Sequence, residues 1–183
     1  PRERSMRHEE LIIDNDEGVD DTRYAERNGS KSWQDGGTGF AHKRDVYLTG
    51  QNPFTEGTTR ITESIASGSE SRAEWRAAIP EEGKYAVYVS YKTLKESTAC
   101  ARYTVRHMGG SSDFVVDQRM GGGTWIYLGT FEFGQGSDGY VSLTNETPEG
   151  YRFNSGSVVT ADAVRFGGGM GNIACGNDLN EAE

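Results

Sequence analysis

Apolar residues recur along this chain with a period of two rather than 3.6. Ala73, Trp75, Ala77 and Ile79 alternate with charged or small residues before Pro80-Glu81-Glu82-Gly83 makes a turn. In the next run, KYAVYVSY at 84–91, Tyr85, Val87, Val89 and Tyr91 share one face while Ala86, Tyr88 and Ser90 share the other. Both faces are fairly apolar, which predicts a strand inside a sheet that is covered on both sides. Further strands are predicted at 101–107, 113–118, 124–133, 140–145 and 158–166, with a short first one at 11–15. Met108-Gly109-Gly110-Ser111, Gly121-Gly122-Gly123, Gly134 to Gly139 and Thr147 to Gly156 supply turn chemistry between them. The polar stretch 17–68, with its scattered Trp33, Phe40, Tyr47 and Phe54, reads as loop holding short strands. No window carries a convincing helical period. Short strands spaced by about 10 residues argue for an all-β fold, an antiparallel β-sandwich of jelly-roll type.

Composition sharpens this picture. A chain of 183 residues fits one domain or at most two small ones. We place the sandwich at 11–166, a charged leader or linker at 1–10, and a glycine-rich, then acidic, linker or tail at 167–183. The 25 glycines are about twice the usual share, which suits many tight turns. A net charge of −9 makes nucleic acid a poor partner. No apolar run approaches the roughly 20 residues of a membrane helix, so no membrane insertion is expected. Residues 1–10 have no apolar signal-peptide core, and the chain reads as a fragment of something longer. Cys100 and Cys175 are too few for a disulfide framework and too far apart for a CxxC clip, leaving a bridge between them open.

Catalytic chemistry is hard to find. His8, His42 and His107 have no metal-protease spacing, His8-Glu9-Glu10 lacks its second histidine, and no GxSxG, P-loop or CxxC occurs. Asp14, Asp16, Asp20, Asp21, Asp35 and Asp113 are plentiful carboxylates, but nothing marks an acid, a base or a uronate-neutralising group. By itself the chain is therefore expected not to be an enzyme. Sugar binding fits better, because it pairs an aromatic face with fork-shaped amide, carboxylate or guanidinium groups. Two loop sets offer this: Trp33 with Gln34, Asp35, His42 and Arg44, and Tyr151 with Arg152 and Asn154. Trp75 and Trp125 lie in alternating strands and are expected in the core. Asp162, in an otherwise apolar run, must reach solvent or find a partner such as an arginine or the first strand's backbone. Asp14-Asn15-Asp16 reads as turn-forming side chains, and the EF-hand spacing is absent.

Six blocks then carry a resemblance. IIDND at 12–16, EWRAAIPEEGKYAVYVSY at 74–91, YTVRHMGG at 103–110, VDQRMGGGTWIYLGTFEF at 116–133, YVSLTN at 140–145 and ADAVRF at 161–166 occur in order over nearly the whole chain. They resemble the golvesin C-terminal-like domain, also called the xanthan lyase carbohydrate-binding-like domain. The resemblance implies a galactose-binding-like β-sandwich that serves as a non-catalytic accessory domain. It implies secreted, periplasmic or cell-surface bacterial proteins, with a polysaccharide lyase or peptidoglycan-directed amidase as the catalytic part of the same chain. Polysaccharide or peptidoglycan glycan is the implied partner. Such sandwiches often carry a structural calcium, for which Asp14, Asn15 and Asp16 are hard oxygen donors, and no other cofactor is expected. In the family pattern a tryptophan after the first strand packs across the sandwich, which sets a core role for Trp33 against a ligand role. The stretch 22–71 exceeds shorter family versions, so residues there transfer least well. The GGGMGNIA segment after ADAVRF looks like a form in which the domain interrupts an amidase-like region. The alternative to glycan binding is thus a structural insertion packing on a neighbouring catalytic domain, with IID and ADAVRF side by side.

Overall fold

Alternating apolar positions become strands, and those strands define where the chain can bury its side chains. The computed structural model describes residues 11–17, 23–40 and 52–167. They hold β1 (Leu11–Asp14), β2 (Tyr24–Arg27), β3 (Gln34–Gly39), β4 (Gly57–Glu63), β5 (Arg72–Trp75), β6 (Gly83–Val89), β7 (Ala101–His107), β8 (Gly110–Val116), β9 (Ile126–Phe133), β10 (Tyr140–Thr144), β11 (Val158–Ala161) and β12 (Ala163–Phe166). Three sheets result, of order β1-β12-β6-β9, β2-β5-β10-β7-β8 and β11-β4-β3. Every pairing within them is antiparallel. No helix among the described residues is long and apolar enough to cross a membrane.

The four-stranded and five-stranded sheets face one another over a single core. Trp75, Tyr24, Tyr103 and Leu143 from the five-stranded sheet join Val87, Phe133, Val164 and Phe166 from the four-stranded one. A second cluster lies on the other face of the four-stranded sheet, where Tyr88 and Ala163 meet Phe40, Trp125 and the flanking Phe54. Its rings pack edge to face, with centroids 5.2 Å apart for Phe40–Trp125 and 5.7 Å for Phe54–Trp125. This second layer explains why the 84–91 run is apolar on both sides: β6 lies between β12 and β9 and is covered twice. Trp75 and Trp125 are both buried, in the core role expected of them. The expected neighbours IID and ADAVRF also pair, Leu11 opposite Phe166 and Ile13 opposite Val164. Cys100 is a buried free thiol, while Cys175 lies outside the described residues.

Two expectations need correction. The 73–79 run is strand only as far as Trp75, and Ile79 makes an isolated bridge to Gly136. The 158–166 run is two strands, since the chain leaves the three-stranded sheet after Ala161 and enters the four-stranded sheet at Ala163. Asp162 is the corner. Its carbonyl oxygen accepts from the Trp75 indole N–H at 3.1 Å and the Asn15 N–H at 3.1 Å, in place of a ladder partner. Its Oδ2 accepts from the Phe40 N–H at 2.8 Å. So the backbone of a loop and of the first strand's end, rather than an arginine, satisfies this residue. The Asn15 amide nitrogen faces Asp162 Oδ1 at 3.0 Å, Asp14 Oδ1 at 2.8 Å and the Thr58 carbonyl at 2.9 Å. Asp16 in turn accepts from the Thr58 N–H and hydroxyl. Glycine is required around the knot: a Cβ on Gly39 would sit 2.6 Å from Asp162 Oδ2, and one on Gly57, its cross-strand partner, would collide with the Phe40 oxygen.

Burial, and then the adjacent Asp14 carboxylate, push the Asp162 carboxyl well above its usual range. Between the ordinary aspartate value, about 4, and the raised one, the folded chain keeps a proton that the unfolded chain has released. Its stabilisation is therefore complete below the unfolded value and is lost as pH rises through the folded one. Asp162→Asn keeps the shape and a donor toward Asp14 but removes the titration. Melting temperatures measured from about pH 4 to 8 should fall less steeply for the variant than for the parent; equal slopes would show that Asp162 is not the group responsible.

Candidate functional site

Where the strands end, four segments flank the three-stranded sheet: 52–56 leads into β4 beside the Ala161 end of β11, 145–157 leads into β11 at the other end, and 90–100 and 117–125 run along β11 between them. What fixes them is a buried amide. Gln118, fully buried, donates from Nε2 to the Thr160 carbonyl at 2.9 Å and to the Tyr103 hydroxyl at 3.1 Å. Its Oε1 accepts from the Thr160 N–H at 3.0 Å. Its own N–H donates to the Thr98 carbonyl at 3.0 Å, and its carbonyl accepts from the Thr93 hydroxyl at 3.0 Å. Thr160 then ties down Lys92, whose carbonyl accepts from the threonine hydroxyl at 2.8 Å. One side chain thus clamps β11 to two loops. Burial pushes the Tyr103 phenol well up, and that of Tyr91, whose hydroxyl donates to the Met120 carbonyl at 2.6 Å, up to about 12, so both keep their protons. On the same loop, the Arg119 guanidinium hydrogen-bonded to Asp117 lowers that carboxyl below its usual value.

Two depressions lie between these segments. One, of about 220 Å³, is lined by Thr38, Asn52, Phe54, Lys92, Thr93 and the edge of Asp162. The other, of about 410 Å³, is lined by Lys95, Glu96, Arg119, Asn154, Ser155 and Ser157. Beside it rises the 147–157 loop. Tyr151 is 52% exposed and Phe153 38%, with Arg152 and Asn154 exposed between and after them. The loop is anchored at both ends, by the Thr147 N–H and hydroxyl to the Ile65 carbonyl, both at 2.9 Å, and by the Ser64 N–H to the Ser157 carbonyl at 2.8 Å, and turns within it join the Tyr151 N–H to the Pro148 carbonyl at 3.1 Å and the Ser157 N–H to the Asn154 carbonyl at 3.1 Å. Arranged this way, it turns two aromatic rings and two polar side chains to solvent.

The other sequence-derived set does not assemble. Trp33 is only 5% exposed, packs in the main core and donates its indole N–H to the Arg72 carbonyl at 3.2 Å, so its ring faces no ligand. Asp35 is exposed on β3, where its carboxylate accepts from the Gly37 N–H at 3.0 Å beside a bulge. His42 and Arg44 lie outside the described residues. Trp33 and Asp35 belong to the β3 edge of the three-stranded sheet, whereas Tyr151, Arg152 and Asn154 precede β11 at its opposite edge. Phe153 was not singled out from sequence; its place two residues after Tyr151 in a loop without apolar alternation is the signal that could have found it. No three histidine, cysteine or carboxylate side chains converge among the described residues, and the Asp14 and Asp162 oxygens are taken by the Asn15 amide and by each other.

The class defined by this architecture is an antiparallel β-sandwich with loop-borne exposed aromatics. Residues 47–168 match the model of the Golvesin C-terminal domain, more than half of the chain, and the chain belongs to that family. A xanthan lyase of Bacillus sp. (strain GL1) is 37% identical over 91 residues, covering 48% of this chain and 9% of the relative. The solved Paenibacillus xanthan lyase superposes with a TM-score of 0.63 at 23% identity, covering 86% of this chain and 13% of that one. A carbohydrate-binding module of family CBM6, from the laminarinase LamC of Zobellia galactanivorans, is similar at a TM-score of 0.48 and 13% identity, covering 87% of this chain and all of that one. The chain spans about a tenth of the length of either xanthan lyase.

If Gln118 is the clamp, Gln118→Ala leaves the Thr160 peptide and the Tyr103 hydroxyl without partners and costs about 3 kcal/mol. The melting point should drop by roughly 10 °C. Gln118→Met, which refills the volume without the amide, should lose nearly as much in the same thermal scan; full recovery by methionine would assign the role to packing instead.

Proposed function

We propose that this chain is a carbohydrate-binding accessory module of a secreted, periplasmic or cell-surface bacterial enzyme acting on polysaccharide or peptidoglycan. The module does no bond breaking itself; it keeps a catalytic partner domain, of lyase or amidase type, near its insoluble or high-molecular-mass substrate. The observation carrying this reading is the 147–157 loop, where Tyr151 and Phe153 stand exposed with Arg152 and Asn154 alongside on an anchored backbone. Aromatic rings meet the C–H face of a pyranose and the forks pair with its hydroxyls. The xanthan lyase relatives support a parent of lyase type.

A second reading, an insertion that packs on a split catalytic domain, has one observation in its favour. Since Leu11 pairs with Phe166, the strands that lead into and out of the sandwich are neighbours. Reading the gene on both sides decides it: catalytic sequence on one side only removes the motive for an insertion.

For the first reading, the 183-residue chain should be retarded in native gels cast with at least one bacterial or plant polysaccharide. Tyr151→Ala should weaken that retention about tenfold while changing stability by no more than about 0.5 kcal/mol. Trp33→Ala should instead lower stability by about 3 kcal/mol, as a buried aromatic does. A folded chain that binds nothing across a broad glycan panel leaves the proposal without support.

A further inference from the structure

The outward face of the five-stranded sheet carries a charge opposite to that of the chain. Alternation puts Arg27, Arg72, Arg76, Arg102 and Arg106 on that face, because Tyr24, Ala73, Trp75, Tyr103 and Val105 point into the core. They are five of the 14 arginines, in a chain of net charge −9. Among the strand residues of this sheet, only two carboxylates, Glu74 and Asp113, share the face with them, and no lysine does.

Register orders these side chains into rows that run across the strands. Arg27 lies opposite Arg72, Arg72 opposite Thr144, and Thr144 opposite Arg102. Arg72 and Arg102 are therefore two strand spacings, about 10 Å, apart, with the buried Thr144 beneath and between them. Two like charges placed directly opposite, as at Arg27 and Arg72, repel, and of the two only Arg72 has a carboxylate among the described residues, Glu74, within ion-pair distance. Among the described residues Arg27 has no carboxylate within ion-pair distance, and Arg106 reaches only the Ser111 hydroxyl at 3.5 Å. The remaining guanidiniums are held by carboxylates of the same face, Arg102 by Asp113 Oδ2 at 3.3 Å. Glu74 receives Arg72 on Oε1 at 3.0 Å and Arg76 on Oε2 at 3.0 Å, and the Tyr140 ring lies under both, 5.3 and 4.7 Å from the guanidinium carbons. Each guanidinium has five N–H donors, so these contacts leave donors for a ligand, in the planar fork that matches a carboxylate. An open depression of about 320 Å³ lies along this row, lined by Ala25, Glu26, Arg27, Arg72 and Glu74.

From this the geometry points to a second binding surface, the outer face of the five-stranded sheet, which takes an acidic, carboxylate-bearing polysaccharide laid across the strands along the Arg27–Arg72–Arg102 row. The choice of a polysaccharide rests on the proposed glycan-binding function; the choice of an acidic one rests on the arginine row alone. Carboxylates spaced by one or more sugar residues suit guanidiniums spaced by strands. A nucleic acid suits them less, since its dense phosphates would meet the net −9 of the chain, and Tyr140, already covered by two arginines, gives bases no free ring.

The test compares polygalacturonate, as the carboxylate probe, with a neutral galactomannan, using the 183-residue chain in affinity electrophoresis and calorimetry. The inference expects tighter binding to polygalacturonate, weakened at least tenfold by raising the salt, and weakened at least tenfold in the double variant Arg27→Gln, Arg102→Gln. Both positions are solvent-facing, so the melting temperature of the variant should stay within a few degrees of the parent's, and a single Arg27→Gln serves if the pair does not fold. Binding to galactomannan alone, unchanged in the variant, overturns this inference and leaves the glycan-binding reading intact. Binding to neither glycan nor to any of a wider panel overturns both. Equal or tighter binding of a DNA duplex overturns the assignment to carboxylate-bearing sugar chains.

Discussion

Asp162 sets the constraint under which the rest of the sandwich is built. At this residue the chain must pass from a three-stranded to a four-stranded sheet, and one peptide cannot stay in both ladders. Its carbonyl is taken by the Trp75 indole, which ties the corner to the centre of the core, and by the Asn15 amide, which ties it to the end of β1. The carboxyl reaches Phe40, which starts the second apolar cluster. Three parts of the fold thus meet at one buried acidic residue, and each hydrogen bond there is made in a low-dielectric interior where losing it is expensive. A carboxyl whose proton is held to higher pH by burial and by Asp14 can, while protonated, donate as well as accept, which lets two acidic side chains lie together without two full charges.

Gln118 repeats the same logic one step further out. Asp162 fixes how β11 hands over to β12; Gln118 grips the peptide of Thr160, two residues earlier, from both sides. The segments at 90–100 and 117–125 inherit their positions from that peptide. A binding loop needs such support, because ligand contacts made by a mobile loop must first offset the entropy of ordering it. The loop that exposes Tyr151 and Phe153 has its own supports, the Thr147 and Ser157 bonds to Ile65 and Ser64 that follow β4.

Much of this architecture was legible in the sequence. Period-two alternation placed β7 to the residue and revealed β6 as a strand covered on both sides, because a two-sided apolar pattern has one physical meaning in a sheet. The break at Asp162 was not, since alternation continues across it and only the partners of its carbonyl show the change of sheet. Trp33 was legible only in part: its loop context leaves a ligand platform open beside the favoured core plug, and the deciding fact is the distant Arg72 carbonyl that takes its N–H. The Arg27, Arg72 and Arg102 row is invisible along the chain. It forms through cross-strand register between segments that are far apart in sequence, with no local spacing to betray it.

A charged face made by register also limits what net charge can say about a partner. A value of −9 describes the field far from the molecule, yet at physiological salt the Debye length is about 8 Å, so a ligand lying on a sheet responds mainly to the side chains beneath it. Here most acidic residues lie away from the five-stranded sheet, while five arginines and two carboxylates share its outward face. The global charge slows the approach of any polyanion and screens out dense ones; the local face rewards an anion that has arrived and whose charges are sparse enough to fit. An acidic fold with one arginine-lined sheet is thereby more selective than a basic one, because repulsion and attraction act on different ligands rather than on the same one.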